Sequence, residues 1–316
     1  MQRLLRVTVT VLVVGIVAYF FGSSLADNWD QVREQQIGFG WNLVLACLLF
    51  TIAVPVSGVL WGAMVNRLNK SKAAPAREAI KVHCASWLLK YVPGQMGSFV
   101  NKVLWGARKG VSKTLVSITF VYENVFLVLA ATIPSAVILV LALGGDRFTG
   151  DSAALLPVAA VVPLILVSNR WVFARILAPL LKRFAKKDVP PEYFLTNSAM
   201  LKFQLLYVVP RLLNGIGFVL VAASVTDVTA GEWLPLAAAY MLAGAAGLLA
   251  IFVPSGIGVR EAVVVLFASA YMTVPEAIIA ALLARLLSTL GDAFVALIYG
   301  YLRLMDQRKA EVASVK

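Results

Sequence analysis

Val253-Pro254-Ser255-Gly256-Ile257-Gly258-Val259-Arg260-Glu261 cuts into an apolar run that begins near Leu234. An earlier stretch, Val92-Pro93-Gly94-Gln95-Met96-Gly97, has nearly the same wording, and 161 positions, about half the chain, separate Pro93 from Pro254. Proline removes a backbone donor and glycine admits conformations other residues avoid, so both phrases break a helix. At membrane depth a broken backbone is tolerated only where protein or a water-filled cavity satisfies it. Paired interruptions in corresponding halves point to the substrate site of a transporter. The phrase therefore predicts an all-α, polytopic integral membrane protein of about eight transmembrane helices. Re-entrant or broken segments and two imperfect internal repeats are part of that expectation.

Composition agrees. The 316 residues are 60% hydrophobic and 14% charged, with mean hydropathy +0.86. A soluble domain carries roughly 25% charge. Several apolar runs reach the roughly 20 residues needed to span a bilayer. The short alternating segments of a transmembrane barrel are not seen. The net charge of +12 comes from basic residues clustered in alternate loops, as the positive-inside rule expects. No nucleic-acid-binding signature accompanies it. Cys47 and Cys84, with His83 as the single histidine, do not make a metal site. His83 reads as an interfacial helix residue. Residues 1–26 resemble a signal peptide, with Arg3, Arg6 and Ser24-Leu25-Ala26. An uncleaved first span is preferred because the rest of the chain is equally membranous.

The halves, about 1–150 and 190–316, form a single membrane domain, 1–316. A basic cytoplasmic interfacial segment, 170–191, joins them. Spans are expected at about 4–22, 43–65, 114–143, 154–169, 200–224, 234–253 and 276–302. Asp27, Asp30 and Glu34, then Asp146 and Asp151, then Asp227 and Glu232 mark outside loops. Segment 78–108 reads as an amphipathic helix leading into a re-entrant hairpin that returns to the cytoplasm. Arg170, Arg175, Lys182, Arg183, Lys186 and Lys187 form the strongest cytoplasmic signal, and such a cluster attracts anionic lipids. A second hairpin would place the basic C-terminus outside. Letting the short helix 259–273 cross gives eight crossings and both termini in the cytoplasm.

Ionisable residues inside membrane helices are functional candidates by default. The clearest are Glu123, Arg211, Arg285 and Asp292, with Arg260 and Glu261 at the second break. Asn124 adds an amide beside Glu123, and Arg211 follows Pro210. Arg285 and Asp292 lie two turns apart on one helix face, about 10.5 Å along its axis, too far to neutralise each other directly. Glu123 and Arg285 follow their breaks at similar distances. They read either as a charged seam between the repeats or as a structural pair. Arg260 has the strongest claim on substrate, because it opens a helix whose N-terminus favours anions and its guanidinium offers bidentate contacts to phosphate. Glu261 is its partner or caps the helix. Lys90 and Lys102 flank the first break, as substrate contacts or as side chains snorkelling to head groups. Pro93, Gly94, Gly97, Pro254, Gly256 and Gly258 complete the candidate lining. Gly244 and Gly247 read as close-packing residues. No nucleophile-base arrangement, phosphate-cradling loop, cofactor signature or metal cluster is visible.

Several of these residues also carry a resemblance. Lys90-Tyr91-Val92-Pro93-Gly94-Gln95-Met96-Gly97, Tyr122-Glu123-Asn124 and Val253–Glu261 are similar to motifs of the flippase-like transmembrane region of lysylphosphatidylglycerol synthases, which also occurs in stand-alone proteins. Ser255 departs from the pattern, where glycine is commoner. The resemblance implies movement of a lipid between leaflets. Its substrate would be a phospholipid, a polyprenyl-phosphate sugar or a hopanoid-type lipid. It implies roles for Glu123, Arg260 and Glu261. No soluble aminoacyl-transferase domain is seen, so the chain is expected not to make such a lipid.

The expected function is a flippase of a bacterial inner membrane, not an enzyme, with a lipid substrate, anionic lipids at the cytoplasmic face and no nucleic acid. Self-association into a homo-oligomer is left open. Arg211, Arg285 and Asp292 are expected to form gating pairs. The alternatives are a glycosyltransferase-like enzyme acting on polyprenyl-phosphate sugars and a non-transporting scaffold for envelope assembly.

Overall fold

The structure, a computed structural model, describes residues 40–90, 96–143, 169–185, 189–250, 254–256 and 258–314. The expected first span, the acidic residues Asp27, Asp30, Glu34, Asp146 and Asp151, and nearly all of the span at 154–169 lie outside the described residues. So do Pro93 and Gly94 at the first break, Val253 and Ile257 at the second, and Lys186 and Lys187.

Among the described residues the regular structure is helical. The α-helices are α1 (Trp41–Asn69), α2 (Ala76–Trp87), α3 (Met96–Arg108), α4 (Lys113–Leu143), α5 (Arg170–Ala185), α6 (Asn197–Ala222), α7 (Trp233–Leu249), α8 (Val259–Ala268) and α9 (Val274–Ser314). Five of them, α1, α4, α6, α7 and α9, are long and apolar enough to cross a membrane. Their outward faces carry large apolar side chains, among them Leu48, Leu205, Leu290 and Leu297, as lipid contact requires.

Two apolar cores stack along α1 and α6, which run antiparallel. One gathers Trp61, Met64 and Val65 of α1 with Tyr122 and Phe126 of α4 and Phe203 and Tyr207 of α6. The other gathers Leu43 and Phe50 of α1 with Phe218 and Val221 of α6 and residues of α7, α8 and α9. Along α6 and α1, Arg211 and Gly58 fall between the residues of the two cores. Phe173 of α5 stacks on Tyr122 with ring centroids 4.0 Å apart, which fastens the basic segment to the first core.

The expected hairpin at 78–108 appears as two helices, α2 and α3, on either side of the first break. Asn66 shapes the turn into α2 by pairing with the Ala74 backbone, accepting its N–H at 2.8 Å and donating to its carbonyl at 2.7 Å. α2 buries Ala79, Val82, His83 and Ser86, the i, i+3, i+4, i+7 stripe of an amphipathic helix. The hairpin closes through Ser86, whose carbonyl accepts from Ser98 and whose hydroxyl accepts from Asn101 at 2.9 Å. α1 admits α2 closely because two of its residues have no side chain. A Cβ on Gly62 would stand 2.3 Å from the Ala79 Cβ, and one on Gly58 would stand 2.8 Å from the His83 Cβ.

At the chain's other end α9 is longer than the expected span. Asp306 accepts from Arg77 at 2.9 Å and Lys81 at 2.5 Å, tying its last turns to α2. Lys81 also meets Glu78 at 2.6 Å. Burial pushes the Glu78 carboxyl up, but the bonds from Lys81 and Trp105 outweigh it and hold the group below the usual carboxylate range. The segment expected as helix 259–273 ends earlier, at Ala268. The cause is local: Glu276 accepts from the Thr273 N–H at 2.8 Å, and Thr273 Oγ1 accepts from the Glu276 N–H at 3.4 Å. This reciprocal cap starts a new helix with Pro275 in its first turn.

Replacing Gly62 with leucine should force α1 from α2 and cost about 1–3 kcal/mol, as overpacking typically does. Gly300→Ala, where a Cβ meets nothing within 4 Å, should stay within about 0.5 kcal/mol of wild type. Thermal unfolding of both variants in detergent checks the difference.

Candidate functional site

The charged residues singled out in the sequence fall into linked groups. Glu123 lies ten residues past the start of α4, about 15 Å along the helix, and is 3% exposed. Lys102 of α3, 2% exposed, donates to its Oε2. His83 Nδ1 of α2 stands 3.1 Å from its Oε1 and 3.3 Å from Lys102 Nζ. The Trp61 ring lies 4.7 Å from the same ammonium. Lys102 is therefore not a snorkelling side chain, because its charge is spent on a carboxylate inside the protein. Nor is His83 an interfacial residue. The close approach at Gly58 carries it inward to Glu123. Asn124 turns away, donating to the Phe120 carbonyl of its own helix at 2.8 Å. Glu123 and Arg285 each have other partners, so they do not form a direct pair.

The second group surrounds the second break. Ser255, Gly256 and Gly258 have φ of 55°, 65° and 83°. Glycine occupies such backbone freely, but Ser255 carries a strain of roughly 1–2 kcal/mol there. Gly256 also sits against α7, where its own Cβ would lie 2.6 Å from the Gly247 Cα. Arg285 of α9 donates to the Ser255 carbonyl at 3.3 Å. This bond supplies one of the partners a broken membrane segment needs. The Glu261 carboxylate accepts from the Gly258 N–H at 2.7 Å, capping α8. Its other oxygen stands 3.8 Å from Arg285 Nε. Arg260 donates to the Tyr240 hydroxyl at 3.1 Å, and its stem rests on Gly247. Tyr240, Arg260, Glu261, Val264, Ala281 and Arg285 line a small, partly open pocket.

α9 joins this pocket to the first break. Two turns beyond Arg285, Asp292 accepts from Lys90 at 2.8 Å and from Trp87 Nε1 at 2.7 Å. Lys90 closes the turn after α2, next to the residues of the first phrase. Gly97, the second residue of α3, closes that phrase. The same helix thus bonds residues just before the first phrase and Ser255 within the second. Arg211 of α6 stands apart, donating from Nε to the Leu127 carbonyl at 2.9 Å.

His83, Trp87 and Tyr240 belong to these groups and are not legible as site residues in the sequence. His83 and Trp87 sit on the buried stripe of α2. Tyr240 sits in an apolar run with no charge beside it, so only the fold places its hydroxyl under Arg260.

If Lys102 neutralises Glu123 in place, Lys102→Met should leave a lone buried carboxylate and cost about 3–5 kcal/mol. Adding Glu123→Gln should recover most of that loss. Unfolding midpoints of single and double variants in detergent test the coupling; a double variant no more stable than the single contradicts it.

No curated protein matches the chain. Residues 4–296, nearly the full length, match the lysylphosphatidylglycerol synthase TM region. With five helices able to span a bilayer and a charged pocket built around a broken membrane segment, the chain belongs to this family, a multi-pass membrane protein related to lipid handling.

Proposed function

We propose that the protein is a lipid flippase of a bacterial inner membrane, carrying a lipid with an anionic or sugar-phosphate head group between leaflets. Arg260 is the observation that carries this reading. It opens α8, in a partly open pocket, and among the described residues its hydrogen-bond partner is a tyrosine hydroxyl rather than a carboxylate. A guanidinium so placed retains donors for a phosphate, and the positive end of α8 acts in the same direction. Glu261 serves the site indirectly by capping the helix that presents Arg260. Arg285 and Asp292 act as the gate. Loosening either would free a Pro-Gly segment from α9 and open the pocket toward one side. The Lys102–Glu123–His83 group docks the α2–α3 hairpin against the spans and sets the resting geometry.

The topology belongs to the same proposal. Both termini lie in the cytoplasm, and the basic residues of α5 rest on anionic lipid heads. α8 contributes 10 residues, about 15 Å. The irregular backbone on either side of it completes the passage.

In liposomes holding fluorescently labelled phosphatidylglycerol or a labelled polyprenyl-phosphate sugar, wild-type protein should accelerate leaflet exchange of at least one. Arg260→Gln should slow that exchange about tenfold or more, the effect of losing roughly 1.4 kcal/mol or more of binding in the crossing state. Equal exchange by both proteins for every lipid would falsify the site assignment, and a scaffold would behave that way. Separately, a fluorescent protein fused to the C-terminus should glow, because it folds on the cytoplasmic side. A dark, full-length fusion contradicts the topology.

A further inference from the structure

Arg211 lies outside the pocket lining but is directed toward the same helix face. It is 9% exposed. Its Nε bonds a neutral carbonyl of α4, and its Nη2 has no hydrogen-bond partner among the described residues. Its Nη1 passes over Gly244 of α7, where a Cβ would stand 3.2 Å away. Three residues on, Gly247 beds the stem of Arg260, where a Cβ would stand 2.5 Å from Cγ. Tyr240, a turn before Gly244, holds the Arg260 tip. One face of α7 thus carries guanidinium groups from two different helices. Gly244 and Gly247 are about 4.5 Å apart along the axis.

Among the described residues neither Arg211 nor Arg260 pairs with a carboxylate: one bonds a backbone carbonyl and the other a tyrosine hydroxyl. Asp292 answers Lys90 at 2.7 Å, and Glu261 stands nearest Arg285. Arg211 lies in the electrostatic field of Arg260. Arg211 is buried and Arg260 half-buried, so the two like charges repel more strongly than they would in water. An anion between them relieves that repulsion and fills the open donors of Arg211.

We infer that Arg211 is a second anion-binding residue, and that the transported head group carries two negative charges, as a diphosphate does, bridging Arg211 and Arg260. The inference rests on the proposed anionic-lipid substrate and sharpens it. A single phosphodiester would engage one guanidinium and leave the other buried without a counter-charge. A diphosphate offers oxygens to both planar forks. Arg211 then acts as a ligand rather than as half of a gating pair, since none of the described carboxylates reaches it.

Calorimetric titration of the full-length protein in detergent with geranyl phosphate and geranyl diphosphate tests this. Wild type should bind the diphosphate about tenfold or more tightly than the monophosphate, as a second charge-assisted contact provides. Arg211→Gln should bring the two affinities within about threefold of each other while leaving monophosphate binding nearly unchanged. Arg211→Lys should keep part of the preference. Gly244→Ala removes no charge and displaces the guanidinium only slightly, so it should reduce the preference in a protein that still folds. Equal affinities in wild type, or an undiminished preference in both Arg211→Gln and Gly244→Ala, overturn the second site while leaving Arg260 in place. Binding of neither probe to wild type overturns the anionic head-group reading together with it.

Discussion

Arg285 and Asp292, two turns apart on α9, hold the broken parts of this protein together. Arg285 bonds the Ser255 carbonyl of the second Pro-Gly segment, and Asp292 bonds Lys90 and Trp87 beside the first. Inside a membrane an unpaired charge or backbone group has no water to turn to. The segments that interrupt the spans must therefore be answered by side chains from elsewhere in the fold. One helix bonds Ser255 of the second segment and the residues just before the first, and with α7 and α8 it lines the pocket. The same demand explains the buried Lys102–Glu123 pair, which joins α3 to α4 beside the first apolar core.

The two Pro-Gly phrases resemble each other as sequence but lead into different helices. After the first comes α3, an amphipathic helix that spends its buried cation on Glu123. After the second comes α8, which is short, capped by its own Glu261 and led by Arg260. Arg260 donates to a tyrosine hydroxyl rather than to a carboxylate. The first helix is held by a buried ion pair, and the second by its own capping carboxylate and a tyrosine.

Much of the helical framework is legible in the sequence because hydropathy is summed over many residues. α1, α4 and α6 begin and end within a few positions of the expected spans. The charges at 123, 211, 285 and 292 stand out because the surrounding runs are apolar. Their partners do not. Asp292 meets a tryptophan 205 positions away in the chain, and no local pattern encodes such a contact. The burial of His83 depends on Gly58 of another helix. The early end of α8 is written in Thr273 and Glu276, a short capping signal that an apolar run obscures. Ser255 makes the turn that glycine would make, but at φ 55°, a strained choice visible only in the backbone.

The central claim is that a lipid head group sits against Arg260 beneath the second break. Photo-cross-linking tests it most directly, using a phosphate-headed lipid with a diazirine beside the phosphate, in liposomes, followed by peptide mapping. The label should fall on peptides carrying Tyr240, Arg260 or Ala281, and excess unlabelled lipid should displace it. A label confined to the outward faces of α1, α6 and α9, undiminished by competitor, would contradict the account.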